Sequence, residues 1–383
     1  KQTRKLTQYT DYDVKFPSLG PDAIVYENGG FIYLLDLASG TSHKVEIHIS
    51  DDAVVGRNEM IDASQFVESG DYDLGPDGNR MTVTARGDIW TIPAKEGITR
   101  NLTKSPGAHD RSVTWSPDGK YLAYISDATG EDEIYIQKQD GSESAMQLTQ
   151  QGDTYKYYLL WSPDSKKIAW TDKKMRLQYV DISSKQVTLA DQGKVWEHQD
   201  MNWSPDSRWI VFSKSDDDYR TKMFLYDTQN QKTTRITDEW YEAYGGVFSP
   251  DGKYLYFVSN RDFNPTYSST EWNHSYSDLS KVYLFTLAKK TTSPLAPKND
   301  EVAIKKDTTA TTPIPSADTK KKESKHKKVT TPAADMPKTD TVPPTVIDLD
   351  GLQDRIVALP IDNGNYYGLK TADDAVYYLT NST

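Results

Sequence analysis

The sequence predicts an all-β fold, a β-propeller built from four-stranded antiparallel blades. Three observations carry that expectation: a recurring turn phrase, the spacing of its copies, and strands that are apolar on both faces. The phrase reads Trp115-Ser-Pro-Asp-Gly119, Trp161-Ser-Pro-Asp-Ser165, Trp203-Ser-Pro-Asp-Ser207 and Phe248-Ser-Pro-Asp-Gly252, with a weaker copy at Leu74-Gly-Pro-Asp-Gly78. Its prolines fall at 76, 117, 163, 205 and 250, so the intervals are 41, 46, 42 and 45 residues. Propeller blades repeat at about 40–50 residues with four strands each.

Each copy reads as a turn between two strands. Proline presets φ for the second turn position, aspartate bonds back to its own backbone, and glycine accepts a left-handed φ. A short strand such as Ser112–Trp115 precedes the turn, and a stronger one follows, as in Tyr121-Leu-Ala-Tyr-Ile125 or Trp209-Ile-Val-Phe212. After the Trp115 copy, a third strand is expected at Glu133–Gln137, an Asp140-Gly141 hairpin turn next, and a fourth strand near Ala145–Thr149. Tyr121, Ala123 and Ile125 share one face while Leu122 and Tyr124 share the other. A sheet apolar on both faces must be covered on both sides. Radially stacked blades supply that cover, whereas an open sandwich leaves one face polar.

The remaining chain divides by composition. Residues 1–50 read as one blade-like unit, with strands around Tyr12–Phe16, Ile24–Tyr26 and Phe31–Leu35 and a turn at Asn28–Gly30. Residues 51–67 break the rhythm as a connector, and 68–297 carry the regular blades. Residues 298–345 hold Lys320-Lys-Lys322, Lys325-His-Lys-Lys328, much Thr and Pro, and no aromatic residue. They are expected to form a disordered insertion, because such a composition buries too little apolar surface to offset ordering entropy. Residues 346–383 read as an incomplete further blade.

Bulk properties exclude several functions. The net charge is −11, and outside the insertion it is −14, which argues against a general nucleic-acid binder. No apolar run approaches the roughly 20 residues of a membrane span. With no cysteine, there is no thiol nucleophile and no cysteine-based metal site.

There is no Gly-x-Ser-x-Gly elbow and no His-Glu-x-x-His stretch. Neither a metal nor a cofactor is expected. His43 and His48 are five apart on a strand and face opposite ways. His274 sits in a polar excursion, and His326 in the insertion. Asp216–Asp218, and Asp127 with Glu131–Glu133, do not match a calcium loop, and solvated charge at strand tips is expected there.

The candidate site is a channel mouth. His109 with Asp110, Tyr155 with Lys156, Glu197 with His198, and Tyr241 with Glu242 each precede an innermost strand. In a propeller such positions ring one end of the central channel, as a polar, partly acidic funnel for a threaded peptide. The plainer reading is ordinary loop residues that cap turns and meet water.

Longer phrases add a resemblance. They are Tyr9-Thr-Asp-Tyr-Asp-Val14, Pro17-Ser-Leu-Gly-Pro-Asp22, Val25-Tyr-Glu-Asn-Gly-Gly30, Ala85-Arg-Gly-Asp-Ile-Trp90, Thr99-Arg-Asn-Leu-Thr103, Pro106-Gly-Ala-His-Asp-Arg111 and Ile347-Asp-Leu-Asp-Gly-Leu-Gln-Asp-Arg355 before Val357-Ala-Leu-Pro360. In this order, over nearly the whole chain, they resemble the tricorn-type serine proteases in their bacterial branch. That resemblance implies a six-bladed propeller, then a seven-bladed one, then a PDZ-like module and a split catalytic core. On this template residues 1–50 are the closing blade of the first propeller, and the later blades are most of the second. The nucleophile, general base and oxyanion donors fall outside this sequence, so no catalytic residue is carried over. The implied partners are oligopeptide substrates, the PDZ-like and catalytic domains of the same polypeptide, and further copies in a homo-oligomer. The implied compartment is the cytoplasm, with the periplasm left open.

The function expected is therefore a non-catalytic propeller segment that guides oligopeptides to a downstream peptidase. One alternative is a TolB-like protein-interaction propeller with no peptidase. Another is the gating propeller of a prolyl-oligopeptidase-like enzyme.

Overall fold

The structure, a computed structural model, describes residues 3–50, 62–262, 266–267, 274–275, 278–297 and 342–381. The chain forms two compact units, Lys1–Asp62 and Ala63–Thr383. The first holds one antiparallel meander of Val14–Leu19, Ala23–Asn28, Phe31–Asp36 and Ser42–Lys44.

Among the described residues the second unit contains five four-stranded antiparallel blades. The first runs Val67–Leu74, Arg80–Ala85, Asp88–Pro93 and Arg100–Asn101; the second runs Asp110–Trp115, Tyr121–Ser126, Glu133–Lys138 and Met146–Gln147. The third is Lys156–Trp161, Lys167–Asp172, Arg176–Asp181 and Val187–Gln192, and the fourth Asp200–Trp203, Trp209–Ser215, Thr221–Asp227 and Lys232–Arg235. The fifth uses Ala243–Phe248, Tyr254–Ser259, Lys281–Thr286 and, far along the chain, Ile356–Ala358. A hairpin of Tyr366–Ala372 and Ala375–Thr380 follows. No helix among the described residues is long and apolar enough to cross a membrane.

Successive residues of each strand serve different cores, which is the two-faced burial expected of blades. Leu122 and Tyr124 pack with Ile89 and Leu102 of the first blade. Ala123 and Ile125 pack with Leu159, Trp161 and Trp170 of the third. The alternation repeats at Ile210 and Phe212, which face back to Tyr179, and at Trp209 and Val211, which face forward to Phe257 and Phe285. Because the side-chain period of a strand is two, one strand supplies both interfaces.

The turn phrase organises each blade and then joins it to the next. Ser116 Oγ donates to Asp118 Oδ1 (2.7 Å) and accepts the Tyr121 amide (2.9 Å). Ser162, Ser204 and Ser249 repeat this pair of bonds. The fifth position is left-handed in every copy, with φ of 69° at Gly78, 71° at Gly119, 58° at Ser165, 60° at Ser207 and 66° at Gly252. Serine is strained there, and its hydroxyl explains its presence. Ser165 Oγ accepts the Asp118 amide of the preceding blade (3.1 Å), and Ser207 Oγ accepts the Asp164 amide (3.0 Å).

The fourth and fifth blades solve the same problem differently. Gly252 has no hydroxyl, and a Cβ there would lie 2.6 Å from Thr345 Oγ1. Thr345 is buried in that space, and its amide donates to Asp206 Oδ2 (2.8 Å). The chain then re-enters the fifth blade through an arginine clamp. Arg355 donates to the carbonyls of Thr286 (3.0 Å), Gly351 (2.9 Å), Leu287 (3.2 Å) and Asp348, setting Ile356–Ala358 beside Lys281–Thr286.

This corrects the expected boundary at residue 346. Ile356–Ala358 completes the fifth blade, so the long excursion lies between that blade's third and fourth strands. Among the described residues, only the 366–380 hairpin extends beyond it. Sequence spacing missed this because the fourth strand is three residues long and carries no turn phrase. Most of the expected 298–345 insertion, 298–341, lies outside the described residues, as does His326; so does most of the 51–67 connector, 51–61.

Two variants test this account. Ser207→Ala keeps the left-handed strain and removes the interblade acceptor, so it should lower the unfolding free energy by about 1–2 kcal/mol. Ser207→Gly relieves the strain and should cost less. Equal losses in a urea titration would contradict the strain assignment. At Gly246 an added Cβ would stand 2.6 Å from Met223 Cε and 2.8 Å from Val211 Cγ2. Gly246→Ala should cost about 1–3 kcal/mol by overpacking, read in the same titration.

Candidate functional site

A strand facing a central passage has a free edge, which in a sheet invites pairing with another chain. Here side chains of neighbouring blades occupy much of that edge. Asp71 accepts the amides of Ser112 (2.8 Å) and Val113 (3.1 Å), and Asp73 accepts the Trp115 amide (2.8 Å) and the Thr114 hydroxyl (3.0 Å). Asp200 accepts the Gly245 amide (2.7 Å), and Asn202 Oδ1 that of Phe248 (3.4 Å). Carbonyls are taken from the other side. Trp161 Nε1 donates to Thr114 O and Trp203 Nε1 to Leu160 O, both at 3.3 Å, and Thr371 Oγ1 donates to Phe248 O (2.6 Å).

Bulges in the innermost strands aim these amides. The register slips between Arg111 and Thr114, between Tyr244 and Val247, and between Tyr367 and Lys370. Each slip contains a left-handed residue: Ser112 (56°), Gly245 (69°) and Gly368 (61°). A bulge turns one unpaired amide away from the ladder. Asp71 and Asp200 receive such amides from Ser112 and Gly245.

All eight channel-mouth candidates lie at the start of, or just before, an innermost strand, but their side chains divide. His109, Tyr155 and Tyr241 are exposed, and Glu197 and Glu242 are half-buried. Asp110, Lys156 and His198 are buried. Asp110 accepts the Ser105 hydroxyl, and Lys156 Nζ donates to the Asp132 carbonyl. His198 Nε2 meets Asp191 Oδ2 at 2.8 Å, and Lys214 Nζ reaches the same oxygen at 2.6 Å. Burial raises the Asp191 pKa, but these two hydrogen bonds outweigh it and hold the carboxyl below its usual range. Asp200, which accepts the Ser213 hydroxyl at 2.6 Å, shows the opposite balance. Burial there pushes the carboxyl up despite its hydrogen bonds.

The acidic tip at Asp127–Glu133 also differs from expectation. Glu133 is buried and accepts Thr149 Oγ1 and the Gly152 amide, while Asp132 pairs with Arg111. These carboxylates turn inward because the start of the third strand meets the Arg111 guanidinium of its own blade and the Gly152 and Lys156 amides that lead into the next. Among the described residues no group of three or more His, Cys, Asp or Glu is arranged to hold a metal. His43 and His48 are exposed in the first unit, and the side chain of His274 lies outside the described set.

Two clefts open between the innermost strands. One, of about 590 Å³, is lined by Asp71, Tyr72, Asp73, Arg111, Tyr155 and Tyr158, among others. The second, of about 520 Å³, includes Asp200, Met201, Tyr244, Gly245, Tyr367 and Leu369. Residue-by-residue reading missed Asp71, Asp73 and Asp200. The available signal was their position one or three residues before the phrase's first residue, Leu74 or Trp203, on the strand face opposite that residue.

Comparison with known proteins agrees with this geometry. Residues 69–383 match the family model of the tricorn protease second beta propeller domain. The chain is 24% identical over 382 residues to tricorn protease homolog 1 of Streptomyces coelicolor, covering 98% of this chain and 33% of that protein. It is 23% identical to the tricorn protease homolog of Saccharolobus solfataricus, covering 99% of this chain and 31% of that one. The chain therefore spans about a third of the length of these relatives. The crystal structure of the tricorn protease superposes with a TM-score of 0.63 at 18% identity, covering 98% of this chain and 33% of that chain. Blade-to-blade stacking and the family match over the same residues agree, and the chain belongs to the tricorn protease second β-propeller family.

Proposed function

We propose that these blades are a non-catalytic gate of a tricorn-like serine protease, guiding oligopeptides to a peptidase core elsewhere in the parent polypeptide. The observation that carries this reading is the occupied inner edge. With amides held by Asp71, Asp73 and Asp200 and carbonyls by Trp161 and Trp203, a passing peptide has few backbone partners for strand addition. Such a passage admits an extended chain by width and lets it slide. A folded protein is too wide.

The buried chemistry supports a structural rather than a catalytic role for this segment. The His198–Asp191 pair has the hydrogen-bonded form of a general-base couple, but among the described residues His198 Nδ1 has no hydrogen-bond partner, and Lys214 shares the carboxylate. Among the described residues no serine hydroxyl is hydrogen-bonded to that imidazole, and this reading assigns hydrolysis to the parent's PDZ-linked catalytic core. The cytoplasm is the compartment this reading implies.

The longer parent protein should cleave short fluorogenic peptides in a reaction abolished by a serine-directed inhibitor, and should spare a compact folded protein. Absence of inhibitor-sensitive cleavage would remove the protease assignment and favour an interaction propeller. Equal cleavage of folded and unfolded substrates would remove the gate.

A further inference from the structure

The cleft between the innermost strands of the first three blades has a chemistry that a passive tube does not require. Tyr158 is 76% exposed, Tyr72 63% and Tyr155 49%, although an aromatic ring is a large apolar surface to leave in water. All three line the same 590 Å³ space. Tyr155 is held in place: the Arg111 guanidinium lies 3.9 Å from its ring centre, and Tyr157 meets it edge-on at 5.4 Å. A ring fixed in this way gives up little side-chain freedom when a ligand docks.

Charge decides what the rings would receive. Asp71 and Asp73 line the cleft on either side of Tyr72 in sequence, and their side chains accept from neutral backbone amides and a hydroxyl. Neither forms an ion pair among the described residues. Arg111, the cation nearest them in the lining, is paired with Asp132 and donates to the Lys156 carbonyl (3.0 Å). The cleft thus combines two carboxylates without a counter-ion and exposed tyrosine faces, and both attract a positive charge.

We infer that this cleft is a docking subsite for the cationic side chain, arginine or lysine, of an extended oligopeptide. The inference rests on the reading of the propeller as a peptide passage and adds a selectivity to it. The aliphatic stem would lie against Tyr72 and Tyr158 while the charged head approaches Asp71 and Asp73. Contacts limited to one side chain leave the peptide backbone free, so the subsite slows a passing chain without stopping it. Cationic peptides would then be concentrated at the passage.

The test uses the full chain and two fluorescent, end-blocked pentapeptides, four alanines around a central arginine or around its uncharged isostere citrulline. In fluorescence anisotropy at low salt the arginine peptide should bind about tenfold more tightly than the citrulline peptide. Raising the salt should shrink the difference. Tyr158→Ala and Tyr72→Ala change exposed side chains and should each remove most of the preference while leaving the melting temperature in place. Equal affinity for the two peptides, or no binding of either, overturns the subsite. A preference that survives both tyrosine variants places the recognition elsewhere and overturns it as well. The gate reading is judged separately by cleavage in the longer parent. Inhibitor-sensitive cleavage with no arginine preference would sink the subsite alone.

Discussion

The structure depends on side chains that hydrogen-bond from one blade to the backbone of the next. A single blade cannot bury its two apolar faces, and stacking on neighbours is what stabilises it. Apolar packing alone, however, leaves sliding freedom between sheets. Directional bonds from Asp71, Asp73, Asp200, Ser165, Ser207 and the indoles of Trp161 and Trp203 fix each blade's height and angle against its neighbour. The same bonds occupy strand edges that would otherwise recruit foreign chains.

That requirement explains local departures from the usual turn chemistry. A left-handed position favours glycine, yet Ser165 and Ser207 stand there because a hydroxyl is needed across the interface. Where glycine is retained at 252, Thr345 arrives from a distant part of the chain to fill the space and satisfy Asp206. The Gly245-Gly246 pair divides two demands: the first accepts a left-handed φ of 69°, and the second yields room to Met223 and Val211. Blade geometry is thus conserved in space while the residues supplying it change.

Buried charge follows the same logic. Arg111, Asp132 and Lys156 form one connected network between the second and third blades, Glu133 accepts separately from Thr149 and Gly152, and Asp191, His198 and Lys214 form another network between the third and fourth. Removing one partner from such a group leaves an uncompensated charge, so each network fixes a single arrangement. What remains at the cleft of the first three blades includes the exposed Tyr72, Tyr155 and Tyr158 with Asp71 and Asp73, and that remainder is where the proposed subsite lies.

The turn phrase, its spacing and the two-faced strands by themselves determined the blades, because a period-two strand with aromatic and branched residues on both sides has few other ways to be covered. That the eight candidate residues lie at or just before the first strand of their blades was equally legible, since they are offsets from the phrase. Side-chain direction was not. Asp110, Lys156 and His198 look like funnel residues in sequence, but the chain folds back to set Ser105 on Asp110 and Asp191 on His198, and Lys156 reaches the carbonyl of Asp132 at the far end of the preceding blade's hairpin. The fourth strand of the fifth blade was likewise decided only in three dimensions, where Arg355 ties residues 348–351 to residues 286–287. Short-range chemistry writes turns and strand faces into the chain; which buried polar groups meet depends on contacts between residues far apart in sequence, and those exist only once the blades have stacked.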